Sequence, residues 1–321
     1  MAGKRLGLGG WTSLATLYGC VLVAPVSSMA QSGEEVPRTS WGAPALGGIW
    51  DYRTATPLQR PKDFAEREFF TEEEAAEFGE GANARQVKFF QALAESEAES
   101  EPWFDVGDRP ADGNRTALIV DPPHGRIPEL TELGKERIRD LGPALIRQAN
   151  GPEDRSLEER CLTFTNVPIR ILPYNNNVHI FQTPDTVAIL SEMMHEVRVI
   201  PLDRPPPNTS IPQWLGNSRG RWEGETLVIE TTGFDKRATF EGSGPTLRLI
   251  ERLTRVDVDT LRYQYTVDDA ESFTRPWTVD LPMKRSDAPL FEYACHEGNR
   301  GIVNILSFAR AEEQASPKSP P

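Results

Sequence analysis

Cysteine, histidine and long apolar runs are scarce in this 321-residue sequence, which has three cysteines and four histidines. No apolar run reaches the roughly 18 residues that a membrane-spanning helix needs, so no membrane span is expected. HExxH motifs and tight His-x-His pairs are missing, which removes the usual zinc signatures. Ser218, Ser243 and Ser272 have no Gly-x-Ser-x-Gly surroundings, so a serine hydrolase of the usual type is not indicated. Glycine-bearing stretches such as "EGSGPT" lack the strand-to-helix context of a phosphate loop. Neither a metal nor an organic cofactor is expected. Positive charge is also short: 35 Lys and Arg stand against 48 Asp and Glu, and a net charge of −13 argues against nucleic acid as a partner.

What is present begins with a leader. Lys4 and Arg5 precede an apolar stretch from Leu14 to Val26, and Ser28-Met29-Ala30 forms a small-x-small cleavage site before Gln31. This is a secretory signal over 1–30 and predicts a periplasmic or secreted protein. Removing two basic and no acidic residues leaves the mature chain at −15. Leu17-Tyr18-Gly19-Cys20 loosely resembles a lipoprotein site, although Tyr18 fits poorly and the apolar run continues past it. Cys161 and Cys295 are then the remaining thiols, and in an oxidising compartment they are expected to pair. A catalytic Cys295 would need to stay reduced at low pKa, and nothing in "EYACHEGN" indicates that.

Residues 31–321 read as one domain. A first strand is expected near 48–54, followed by a helical region over 61–150. There Thr71 caps "EEEAAEF", "RQVKFFQALAESEAE" continues in helical style, and Thr131 opens a helix with Leu133, Ile138, Leu141 and Leu145, broken at Pro143. The acidic run from Glu95 to Glu101 reads as a solvated face. From Thr163 onward, short β-branched and aromatic segments follow one another. Turn signals stand at Glu223-Gly224-Glu225 and Asp257-Val258-Asp259. In "LRYQYTVDD", Leu261, Tyr263, Tyr265 and Val267 share one face. The fold class is therefore mainly β: a lipocalin-like antiparallel β-barrel, or a curved sheet, over 163–310 with an inserted helical region. Gly48-Ile49-Trp50 matches the Gly-x-Trp that opens lipocalin barrels.

The strings "YNNNVHIFQTPDTVAILSEMMHEVRVIPLD", "WLGNSRGRWEGETLVIETTGF", "ERLTRVDVDTLRYQYTVDD", "FTRPWT" and "EYACHEGN" resemble an abundant family of secreted bacterial proteins, mostly of undetermined function. The resemblance covers about Pro37 to Glu312 and carries no activity with it. In that family's pattern His195, Cys295 and His296 look typical, whereas the position of His179 is often another polar residue.

The candidate chemistry centres on His195, which stands between Glu192 and Glu196, and on His296 beside the cysteine. A carboxylate near a buried imidazole fixes its tautomer and raises its pKa, as general acid/base work requires. A pair of hydrogen-bonded structural histidines is the alternative. Tyr174 and Tyr293 offer hydroxyl donors and Asn176 an amide, although an asparagine-rich turn explains Asn175 to Asn177 equally well. Arg219 and Arg275, the latter beside Trp277, serve as an anion clamp or as surface packing. A metal site from His179, His195 and His296 would need a further carboxylate. The expected function is a cofactor-independent lyase, isomerase or hydrolase acting on a small, partly apolar organic molecule. The alternative is a lipocalin-like carrier of an apolar or aromatic ligand.

Overall fold

The computed structural model describes residues 36–315 except for 65–66, 83, 86–87, 89–104, 112, 142–148, 165, 206–210 and 239. The leader, Cys20, Pro143, the acidic run and nearly all of "RQVKFFQALAESEAE" lie outside the described residues.

Ten strands form one antiparallel sheet: β1 (Gly48–Asp51), β2 (Ile119–Asp121), β3 (Asn177–Gln182), β4 (Thr186–Ser191), β5 (Val197–Pro201), β6 (Asn217–Glu223), β7 (Thr226–Thr232), β8 (Arg248–Arg255), β9 (Thr260–Asp268) and β10 (Trp277–Ser286). Their order is β5-β4-β3-β1-β10-β9-β8-β7-β6, with β2 paired beside β10. The first strand thus joins a sheet whose other main strands begin more than a hundred residues later. Trp50 sits opposite Val178 on one side and Arg285 on the other.

The sheet is not a closed barrel. Nine alternating strands on the main path leave the terminal strands β5 and β6 pointing the same way, so no continuous antiparallel ladder can join them. They meet at one parallel bridge, Leu202 to Gly220. Gly220 packs closely there: an added Cβ would stand 2.6 Å from Leu202 Cδ2, which would have to move aside.

The period-two pattern places the core on the inner face. Leu261, Tyr263, Tyr265 and Val267 are all buried, together with Trp50, Leu249, Leu253, Trp277 and Leu281. A polar network lies among them. Arg198 donates to both oxygens of Glu251 at 2.5 and 2.9 Å, and the Tyr263 hydroxyl donates to Glu251 at 2.6 Å.

Four helices are described: α1 (Glu72–Glu80), α2 (Glu132–Leu141), the single turn α3 (Cys295–Gly298) and α4 (Gly301–Ala315). Thr71 closes a full capping box with Glu74 on α1. On α2 the apolar spacing misleads, since Leu133 and Ile138 remain 42% and 45% exposed. That helix instead docks through Gly134, where an added Cβ would stand 2.5 Å from the Ser272 carbonyl oxygen, and through Arg137, which donates to the Ser272 hydroxyl at 2.6 Å. The region 61–150 is therefore not purely a helical insertion, because its β2 strand completes the sheet against Thr278 and Val279.

Candidate functional site

The chain leaves β4 through a short turn, Met193–His195, in which Met194 and His195 adopt φ of 63° and 40°. Such left-handed backbone is costly for residues other than glycine, and it persists only where its surroundings fix it. Here the segment 291–299 does so. Glu192 accepts from the Phe291 amide at 2.9 Å and from Asn177 at 2.7 Å. His195 Nδ1 lies 3.0 Å from the Tyr293 carbonyl, and since a carbonyl only accepts, Nδ1 carries the proton. The Tyr174 and Tyr293 rings stack at 6.3 Å, and burial, with the hydrogen bond to Tyr293, pushes the Tyr174 phenol up. Cys161 and Cys295 form a disulfide with Cα atoms 5.8 Å apart. Asn299 donates to the Glu159 carbonyl at 2.7 Å.

This corner gathers Glu192, His195, Tyr174, Tyr293 and the disulfide, and its hydrogen bonds tie the turn after β4 to the segment 291–299. Its carboxylates are occupied by chain amides: Glu196 accepts from Phe164 N at 3.0 Å and from Asn166 at 2.8 Å. Burial nonetheless raises the Glu196 pKa, opposed by those bonds and by one from Thr163. His195 and His296 are exposed, and neither lines the shallow depression of about 440 Å³ beside the disulfide.

The proposed binding residues are scattered. Arg219 donates to the carbonyls of Pro205 and Ser218 at 3.1 and 2.6 Å. Arg275 clasps Asp121 at 2.7 and 2.8 Å. Trp277 is fully buried and stacks 5.9 Å from Phe240. Asn176 is buried in its turn, bonded to Leu172 N and O and to the Asp105 carbonyl. His179 stands on the outer face of β3, its ring 4.0 Å from that of Phe181. Among the described residues no group of three or more His, Cys, Asp or Glu side chains is gathered as a metal site requires.

A second place carries more chemistry. Between the inner face of the sheet and the end of α1 lies a cavity of about 730 Å³, within the range of small-molecule sites. Tyr265, Val279 and Leu281 form its floor, Ile169 to Leu172 one wall, and Phe78, Ala82 and Arg85 its cover. The cover is held in place by Gly79, where any Cβ would collide with the Asp108 carbonyl, and by Arg85 lying 3.7 Å over the Phe78 ring.

The remaining wall is the turn Phe240-Glu241-Gly242-Ser243, closed by Ser243 N donating to the Phe240 carbonyl at 2.9 Å. Both central residues have positive φ, 52° at Glu241 and 86° at Gly242. Asn, Asp or Gly is the ordinary first choice for such a turn, so Glu241 occupies it at a conformational cost. The turn is braced from behind. Gly242 abuts Ile138 of α2, and buried Asp269 accepts from Gly244 N and from the hydroxyls of Ser272 and Thr246, each at 2.8 Å.

The electrostatics of this wall are unusual for a core. The Glu241 side chain is exposed at the rim of the cavity, yet desolvation by the protein packed around it raises its carboxyl pKa, with Arg170 opposing. Tyr265 is 1% exposed, and its hydroxyl has no hydrogen-bond partner among the described residues. Burial pushes that phenol up first, then the charge of Glu241, again with Arg170 opposing. A buried phenol left unpaired at a cavity wall is a group awaiting a partner. Sequence reasoning passed over Arg170, Glu241 and Tyr265. The one available signal was a glutamate in a turn that asks for asparagine or glycine.

Family models, curated proteins and solved structures yield no match to this chain.

Proposed function

We propose that this chain is an exported, cofactor-independent enzyme that binds a small, partly apolar organic molecule in the cavity beneath α1 and moves a proton on it. The observation that carries the reading is Glu241, a carboxylate held in a left-handed turn at the wall of an apolar cavity that also presents Arg170 and Tyr265. A carboxylate with raised pKa facing a buried hydroxyl is a sound acid/base arrangement. Export is supported by the leader and by the pairing of Cys161 with Cys295. A curled, lipocalin-like sheet is the architecture this reading supposes, with the ligand at its covered end. The acid/base role passes from His195 and His296 to Glu241 because neither histidine lines the cavity.

Carriage without chemistry is the second reading, favoured by the many apolar residues of the lining, among them Phe64, Leu118, Ile171 and Leu281. A thermal-shift screen of small apolar carbonyl and hydroxy compounds tests the site. Compounds that stabilise the wild type and not Ala82→Trp, which fills the cavity, support it. Equal stabilisation of both proteins overturns it. NMR of the bound compounds then separates the readings: turnover lost in Glu241→Gln marks an enzyme, and unchanged compounds mark a carrier.

A further inference from the structure

Resting on that reading of the cavity, we infer that the substrate is an uncharged apolar ketone bearing an acidic hydrogen on the carbon next to its carbonyl. The ketone oxygen accepts a hydrogen bond from Tyr265, and the hydrogen passes to Glu241.

Three features of the lining select this class. The first is charge. Arg85 and Arg170 are balanced by Asp63 and Glu241, so an ionic ligand gains no net attraction to offset its desolvation. The second is the Tyr265 hydroxyl, a buried donor without a partner among the described residues, which is satisfied by an acceptor on a neutral ligand. The third concerns nucleophiles. Among the described residues, no Ser, Cys or His lines the cavity. Its threonine hydroxyls are engaged as donors, Thr54 to the Arg109 carbonyl at 2.9 Å and Thr56 to the Arg115 carbonyl at 3.2 Å. Covalent acyl transfer therefore has no evident attacking group, whereas proton abstraction needs only the base and the oxygen-side donor.

The step balances without any co-reactant. The C–H bond beside the carbonyl breaks and its proton moves to a Glu241 oxygen. The electron pair forms the C=C bond of an enolate, whose oxygen gathers negative charge against the Tyr265 O–H. Return of the proton to the same carbon gives exchange, and its return to a conjugated carbon gives an isomer. Glu241 and Tyr265 line the same cavity, so one small molecule filling it meets both groups. The bracing of the 240–243 turn by α2 and Asp269 holds the base still, as proton transfer at hydrogen-bond range requires.

The test is hydrogen–deuterium exchange at the acidic carbon of 2-tetralone in D2O, followed by NMR, with 2-naphthol as a planar mimic of the enolate. Wild-type protein is expected to accelerate exchange about 100-fold or more over Glu241→Gln. Tyr265→Phe is expected to lower the rate about 100-fold and to weaken 2-naphthol binding about tenfold. Unfolding midpoints close to wild type establish that each variant folds; if Tyr265→Phe fails to fold, Glu241→Gln alone decides. Exchange no faster than in Glu241→Gln overturns the ketone. If 2-naphthol then still stabilises the wild type and not Ala82→Trp, the cavity remains the site and only the substrate class falls. If neither compound binds, the ketone class is overturned, and the screen against Ala82→Trp decides the cavity independently.

Discussion

The Arg198 guanidinium lies 2.5 Å from the Glu251 carboxylate inside the curled sheet, with side chains 7% and 0% exposed. Removing one partner strands the other charge in the core. Glu251→Gln is expected to destabilise the fold by about 3–5 kcal/mol, and Arg198→Met with Glu251→Leu to recover most of that loss. Urea denaturation of the three proteins measures both effects. A single variant within about 1 kcal/mol of wild type would show that the pair is solvated in solution.

Cys161 and Cys295 close a loop across a sequence separation of 134. On the chain-entropy estimate such a crosslink contributes about 5 kcal/mol, and it also seats the segment that holds Glu192 and His195. The double alanine variant is expected to lose stability of that order and to free the 291–299 segment to proteolysis. Unchanged protection against protease would mean that the Glu192 and His195 contacts suffice.

Much of this architecture was legible in the chain. Counting cysteines outside the leader led to the Cys161–Cys295 pair, and the alternation of Leu261 to Val267 named inner-face residues that are buried. The relation of β5 to β6 was not legible, because it depends on how many strands intervene, and β2 is too short to announce itself. Nearness in sequence also suggested clusters that topology dissolves: Arg275 reaches outward to Asp121, while Trp277, two residues on, turns into the core. At the histidine corner His195 meets the Tyr293 carbonyl across a sequence separation of 98. The hydrogen bonds that Glu192 and Glu196 accept from amides there were not legible, because they cannot be read from composition. Glu241 and Tyr265 escaped notice because each looks ordinary locally, one in a turn and one on a strand, and only the fold brings them to one cavity.

Glu241→Asn separates stability from chemistry. Asparagine adopts left-handed backbone more readily than glutamate, and it removes the desolvated carboxylate. The variant is expected to unfold at about 0.5–2 kcal/mol higher free energy than wild type while losing exchange activity. Loss of stability would show that the Glu241 carboxylate makes a net favourable contact.

The pH dependence of stability has a definite sign. Glu241 has a raised pKa in the folded protein because burial penalises its charge, so the folded state holds that proton more tightly than the unfolded chain. Its contribution is fully present below the unfolded glutamate value of about 4.3 and is lost as pH rises through the folded pKa. Glu196 acts in the same direction. Arg170, Arg85, Asp63 and Tyr265 line the same cavity as Glu241. Glu241→Gln is therefore expected to gain stability relative to wild type as pH rises from 4 to 8. A constant difference across that range would remove the raised pKa. Exchange activity is expected to rise with pH over the same window, since the base acts when ionised.

A crystal structure of the mature chain soaked with 2-naphthol tests the cavity most directly. The naphthol rings are expected between Phe78, Ile171 and Leu281, with the hydroxyl oxygen within hydrogen-bond distance of the Tyr265 hydroxyl and beside Glu241. Occupancy at the Cys161–Cys295 corner, with the cavity beneath α1 filled only by water, would contradict it.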